Sequence, residues 1–580
     1  MSLLPHSRPK ARRLAVVAAL VATCAAVAAP AQAAIVDDPI TWSADDASLA
    51  MQPIGSFDTG VFDASAQEIV EYHAATQRLF TVDALTGRIR VLDASDPTHP
   101  TELFDLVTAG ATASDGAAIP STAQANSVAV REDGLVVVAV ENDPKTDAGW
   151  LVFFDAAGDG TSLGAVRVGA QPDMVAITPD GSKAVTADEG EPDDATYTID
   201  PEGTITVVAL PSDIAASAQA DVRTADFHAY EGDSLPEGVR VFGKEVDTVH
   251  PVSANLEPEY VTVDQQSRKA YVTLQENNAI AVVDLRSATV TDMWSLGAKD
   301  WSAVGLDASD KDGAINIATY PVKGLYMPDT IASYQVRGTT YLVTANEGDA
   351  REWGDYEEPV RIKDLGKDGV APLCDGVLTA AQRSNDELGR LDVSRASGLN
   401  ADGTCYEELY AFGGRSFSIW TTDGVQVFDS GDDFEQITAL AEPDYFNSDN
   451  AASDLESRSD AKGPEPEGVT IGKVSGRTYA FIGLERVGGV MVYDITSPTA
   501  PTFVTYVNNR DFSVSAEDAI GDGGDEATVL AAAGDLGPEG LTFIPADDSP
   551  SGEPLLAVAN EVSGTTTLYS LSVLGKPKKH

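Results

Sequence analysis

Pro258-Glu259-Tyr260-Val261-Thr262-Val263 leads through a polar turn to Lys269-Ala270-Tyr271-Val272-Thr273-Leu274. Gln275-Glu276-Asn277-Asn278 then leads to Ala279-Ile280-Ala281-Val282-Val283-Asp284-Leu285. Short β-branched and aromatic runs, separated by polar turn formers, read as strand, turn, strand, turn, strand.

The pattern recurs. From Pro466 it runs Pro-Glu-Gly-Val-Thr-Ile, a turn, Arg477 to Leu484, then Glu485-Arg486-Val487-Gly488-Gly489 and Val490 to Ile495. From Pro538 it has Asn560-Glu561 at the second turn; from Pro328, Asn346-Glu347; from Pro172, Asp188-Glu189. Weaker copies start at Gln67-Glu68, with Asp83 at the second turn, and at Asn126, with Glu141-Asn142. Units that cannot bury their faces alone must stack, and seven units stacked around an axis make a β-propeller. The prediction is all-β: a seven-bladed β-propeller over 54–573, with eight blades as the alternative count. An insertion falls at about 355–405. A pair of β-sandwiches is the runner-up fold, and it leaves the sevenfold copy unexplained.

The ends read differently. Arg8, Lys10, Arg12 and Arg13 precede the apolar run Leu14 to Ala29, and Ala31-Gln32-Ala33 supplies small residues at a cleavage position. This order predicts a signal peptide over 1–33. Residues 34–53 form a lead-in, and 574–580 a short basic tail with no sorting motif. The expected product is secreted, with no membrane attachment after cleavage.

Composition narrows the partners. Of 38 basic residues, the leader takes four, leaving 34 against 91 acidic ones and a net charge of −57. Such a surface repels nucleic acid and anionic lipid and suits divalent cations. Two cysteines remain after cleavage, Cys374 and Cys405. Export and even parity predict a disulfide between them, tying the insertion.

The repeat also sets carboxylates in register. One stands before the first strand of a unit and another follows the second strand, so both fall at one end of a hairpin. If these hairpins are innermost, Glu68, Asp173, Glu259, Asp329, Glu467 and Glu539 ring the mouth of the channel. Asp83, Glu141, Glu189, Glu276, Glu347, Glu485 and Glu561 form a second ring. Crowded carboxylates are costly unless cations neutralise them, and hard oxygen donors favour calcium or a similar divalent cation. Glu259, Glu276, Asp329, Glu347, Glu467, Glu485, Glu539 and Glu561 are therefore the candidate metal ligands. Arg351, Arg458 and Lys462 lie close by in sequence and are candidates for holding a phosphate. Asp310-Lys311-Asp312-Gly313 matches the middle of a calcium loop and lacks its terminal Glu. The sequence has no nucleophile elbow, phosphate loop or dinucleotide fingerprint in the right context.

Several strings together resemble the choice-of-anchor I domain family, which includes mesenchyme-specific cell surface glycoproteins. They are Leu256-Glu-Pro-Glu-Tyr-Val, Thr344-Ala-Asn-Glu-Gly-Asp-Ala-Arg-Glu, Phe412-Gly-Gly-Arg-Ser-Phe-Ser-Ile-Trp and Ser457-Arg-Ser-Asp-Ala-Lys-Gly-Pro-Glu-Pro-Glu-Gly. The resemblance spans about Ile54 to Leu571. It implies an extracytoplasmic propeller, and members often carry alkaline phosphatase or phytase-like labels. It supplies no catalytic residues.

Two functions follow as expectations. One is an extracellular binding or adhesion module, monomeric, with a cation-binding channel mouth. The alternative is a metal-dependent phosphoester hydrolase acting on a small anionic ester, with metal-bound water as nucleophile.

Overall fold

A computed structural model describes residues 35–193, 197–243, 250–354 and 356–575. The leader and the last five residues of the tail lie outside the described residues.

The stretch from Pro258 folds as four antiparallel strands, Val261–Val263, Lys269–Leu274, Ala279–Asp284 and Thr289–Ser295. Leu274 pairs with Ala279 across the Gln275–Asn278 turn, where Asn278 takes the left-handed conformation (φ 52°) that Asn tolerates.

The middle strands are apolar on both faces, and packing explains why. Successive side chains of a strand point to opposite faces. Ala270, Val272 and Leu274 join a core with Val185, Ala187 and Ile205 of the preceding sheet. Tyr271, Ile280 and Val282 join another with Ile331, Leu342 and Trp420 of the following sheet. One sheet thus serves two cores.

Among the described residues, seven sheets carry this up-and-down order. Their first strands are Val70–His73, Gln124–Val130, Pro172–Ile177, Val261–Val263, Ile331–Val336, Pro466–Val474 and Pro538–Ile544. Each lies against the next in chain order, and Pro538–Ile544 returns to Val70–His73. This is the β-propeller arrangement. The ring is closed by chain ends: Leu49–Asp58, part of it in the lead-in, pairs antiparallel with Thr565–Val573. Ile40–Ser43 adds a fifth strand beside Thr502–Asn508.

Glycine sets how closely the inner strands approach. A Cβ on Gly468 would lie 1.8 Å from the Glu539 carbonyl oxygen, and one on Gly540 would lie 2.4 Å from that of Glu68. The Gly540 amide instead donates to Glu68 O at 2.9 Å. In Pro-Glu-Gly, the glycine therefore admits the neighbouring strand beside the acid.

A separate five-stranded sheet holds Ala298–Asp300, Lys323–Leu325, Tyr410–Ala411, Asp392–Ser394 and Pro359–Arg361. Its own apolar cluster includes Trp301, Ile362, Leu388 and Tyr406. Cys374 and Cys405 are joined by a disulfide within this excursion, with Cα atoms 5.0 Å apart. Asp310 pairs with Lys311 and Arg390, so the calcium-loop fragment is engaged in ion pairs. α-Helix among the described residues is confined to Asp433–Ala441, Ala516–Gly521 and Glu526–Ala533.

Candidate metal centre at the channel mouth

The acids before the first strands share one cavity of about 1000 Å³. Glu68, Asp173, Glu259, Asp329, Glu467 and Glu539 all line it, and Asn126 fills the corresponding position in the sheet of Gln124–Val130. The backbone explains the convergence: each acid sits where its inner strand begins, and the inner strands ring the channel.

The second-turn acids divide. Glu141, Glu189, Glu347 and Glu485 line the same cavity. Glu276 lies just behind the lining, and Gln275 beside it reaches the wall. Glu561 accepts a hydrogen bond from Ser65 Oγ at 2.8 Å. Asp83 pairs with Arg90 at 2.6 Å and caps the Thr86 amide.

Two triads stand out. Glu189, Glu259 and Glu276 can each offer an oxygen, all within 4.8 Å of one another, and Glu347, Glu465 and Glu485 do the same. In the first triad Glu259 is 7% exposed and Glu276 3% exposed, yet each has a buried Oε2 without a hydrogen-bond partner. Burial, then the neighbouring Glu276 and Glu189, pushes the Glu259 carboxyl well up from its ordinary range. Glu189 is pushed up in the same way, by burial and then by Glu191 and Asp173. A buried polar oxygen with no partner costs free energy. A hard cation coordinated by these oxygens would remove that cost, and three carboxylates are a donor set suited to calcium.

Elsewhere in the wall the same physics operates. Burial lifts Glu68 to about 8 and Asp173 to about 7. Glu467 and Glu539 rise well above the usual carboxylate range through burial and the charges around them, and both keep an unpartnered Oε2.

The basic candidates are all engaged. Lys462 Nζ lies 2.6 Å from Glu347 Oε1 and 3.0 Å from Glu465 Oε2. Arg458 donates to Glu465 from Nε at 2.9 Å and Nη2 at 2.6 Å. Arg351 lies away from the cavity wall, bonded to Glu257 and to the Asn255 carbonyl. Arg415 is also interior, paired with Glu435 at 2.6 Å.

Three contributors are faint or silent in the sequence. Glu465 is fully buried and receives Lys462, Arg458 and Arg486. Burial alone would raise it; the three cations prevail and hold it at about 2. The Pro464-Glu465-Pro466-Glu467 doublet was its visible trace. Gln171 donates to Glu189 at 2.6 Å and to Glu191 at 2.7 Å, and Gln275 donates to Glu347 at 2.9 Å. Neither glutamine carried a signal in the sequence.

The family model of the choice-of-anchor I domain matches residues 68–498. A mesenchyme-specific cell surface glycoprotein of Strongylocentrotus purpuratus is 33% identical over 283 residues, 42% of this chain and 36% of that protein. Gigasin-3a of Magallana gigas is 33% identical over 196 residues, 33% of this chain and 66% of that protein. The matched part is thus less than two thirds of either relative. Among solved structures, the WD40 domain of Toxoplasma gondii coronin aligns over 94% of this chain and 91% of its own, at 9% identity and a TM-score of 0.42. A streptogramin B lyase aligns over 91% and 98%, at 9% identity and a TM-score of 0.41.

Proposed function

The chain belongs to the choice-of-anchor I domain family, and from that premise we propose that it is an extracellular binding module of the adhesion type whose channel mouth holds a divalent cation. The cell-surface glycoprotein among its relatives supports the extracellular setting. No helix among the described residues is long and apolar enough to cross a membrane.

One observation carries the cation. Glu189, Glu259 and Glu276 converge in the interior, and two of the three keep a buried oxygen without a partner. Among the described residues no Lys or Arg forms an ion pair with any of them. Each of the three brings one oxygen to a common point, and calcium, which takes six to eight oxygens, would complete its shell with further carboxylate oxygens, carbonyls or water. The ion would offset two of the triad's three negative charges and leave outward positions for an acidic or hydroxylated group of an extracellular partner.

The hydrolase alternative draws less support. It needs cationic side chains free to grip a phosphate. Lys462, Arg458 and Arg486 are held on Glu465, and Arg351 on Glu257.

Calcium titration of the folded protein by calorimetry tests the proposal. Saturable binding, with a melting temperature that rises with calcium, is expected. The Glu259→Gln/Glu276→Gln double variant should lose both. A wild-type protein that binds neither calcium, magnesium nor manganese would refute the reading.

A further inference from the structure

The two triads at the mouth are built alike and neutralised differently. Around Glu189, Glu259 and Glu276 no basic side chain makes an ion pair among the described residues. Around Glu347, Glu465 and Glu485 three cations converge. Lys462 bridges Glu347 and Glu465, Arg458 holds Glu465, and Arg486 reaches Glu465 at 3.2 Å and Glu485 at 3.1 Å. Three carboxylates are matched by three cations.

Lys462 stands out among them. Arg458 holds Glu465 alone in the triad, and Arg486 spans Glu465 and Glu485 with a planar guanidinium at the longer distances of 3.2 and 3.1 Å. The Lys462 ammonium lies between two members of the triad, at 2.6 and 3.0 Å. Calcium–oxygen bonds run from about 2.3 to 2.6 Å, so the shorter distance falls at the top of that range and the longer a few tenths of an ångström beyond it. An ammonium is a compact point charge with three donors, so it fills the kind of space that a small cation would take.

The loop that carries it is fastened on both sides of the lysine. Arg415, 2% exposed, donates to the Ser459 carbonyl at 2.8 Å and to the Ala461 carbonyl at 2.9 Å. The Gly463 amide donates to Arg458 O at 3.0 Å, and Gly463 adopts φ +71°. A Cβ there would lie 2.9 Å from the Arg415 side chain. The loop is thus set so that the Lys462 side chain enters the triad.

We propose that Lys462 is a built-in counter-ion for Glu347, Glu465 and Glu485, and that this triad is a latent divalent-cation site which the ammonium closes. The inference rests on the cation-binding reading of the mouth and deepens it. The wild-type chain then holds its ion on one side of the channel, at the triad next to the strands Pro172–Ile177 and Val261–Val263. A partner that uses the ion must approach from that side. Without the ammonium, the second triad regains a net negative charge, increased by Asp329 and Glu467 in the same wall.

Equilibrium dialysis against calcium alone tests this, comparing wild type with Lys462→Met. Methionine keeps the stem of the side chain, ends one atom short of the ammonium position and removes the charge. One equivalent in the wild type and two in the variant is the expected result. The added equivalent should vanish in Lys462→Met/Glu485→Gln. One equivalent in both proteins overturns the lysine's role and leaves the first triad standing. Two equivalents in the wild type also overturn it. None in the wild type and one in the variant removes the reading of the first triad and keeps that of the second. None in either removes both. If Lys462→Met folds only with calcium, the ion is replacing the ammonium, which supports the inference. If Lys462→Met and Lys462→Gln both fail to fold even with calcium, the inference falls.

Discussion

Arg351 Nη2 donates to Glu257 Oε2 across 2.6 Å, and both side chains are sealed from solvent. The guanidinium also lies over the rings of Phe242 and Trp353, 4.7 and 5.0 Å from their centroids. This is an interior pair: burial pushes Glu257 up, and Arg351 opposes that shift. Arg351→Met would leave a buried carboxylate without its cation. Breaking such a pair costs about 3–5 kcal/mol. Urea denaturation should show a loss of that order, with calcium stoichiometry unchanged. Unaltered stability would return Arg351 to the role of a ligand-contacting residue.

Glu442 offers a test by pH far from the mouth. Tyr506 Oη donates to Glu442 Oε1 at 2.7 Å, and Oε2 is buried without a partner. Burial raises this carboxyl to about 8, against smaller opposing effects from Tyr506 and Arg510. A raised carboxyl makes the folded state bind more protons than the unfolded chain between the two pKa values. Its contribution is therefore full below about 4.3, the unfolded value, and is lost as pH rises to about 8. Glu442→Gln keeps an acceptor for Tyr506 and does not titrate. The variant should flatten the decline of melting temperature between pH 5 and pH 8.5. An unchanged slope would show that Glu442 is ionised throughout.

The disulfide closes a loop of 31 residues. Chain-entropy arithmetic gives about 3–4 kcal/mol for a loop of that size. The effect should be felt in the five-stranded excursion, where Cys374 N donates to Tyr406 O. Cys374→Ser/Cys405→Ser should become cleavable between 365 and 408 at protease concentrations that leave the wild type intact. Stoichiometric thiol labelling of the native wild type would refute the bridge itself.

The repeated strands were legible because their cues are local. Alternating apolar residues and Gly, Asn and Pro punctuation occur within each copy, and the acids could be placed at hairpin ends by counting. What escaped detection depends on distant partners. Lys323–Leu325 pairs in parallel with Tyr410–Ala411, and such short strands carry no period. Arg486 reaches Glu465 from a different hairpin turn, and Gln275 reaches Glu347 across 72 positions. Ion pairing also depends on side-chain direction. That is why Arg351 and Lys462, both near the acids in sequence, could not be sorted into an interior cation and a cavity-facing one.

Glu467 and Glu539 allow the electrostatics of the mouth to be tested without touching the first triad. Each follows a proline and precedes the glycine that lets the next inner strand in, so their backbones are close neighbours. Burial comes first in raising both carboxyls; for Glu467 the charges of Glu485, Glu347 and Glu539 add to it, and for Glu539 those of Glu68 and Glu561. Raised carboxyls reduce stability once pH exceeds the unfolded value, because the folded state resists ionising them. Glu467→Gln/Glu539→Gln removes that penalty while preserving shape. In EDTA at pH 8 the double variant should melt higher than the wild type, by roughly a few degrees. Calcium should then raise its melting temperature by less than it raises that of the wild type, since less repulsion remains for the ion to relieve. The two shifts have opposite signs, so a general loss of packing cannot mimic them. A variant that melts lower in EDTA, with the full calcium gain retained, would show that these two acids shape turns and take no part in the field of the mouth.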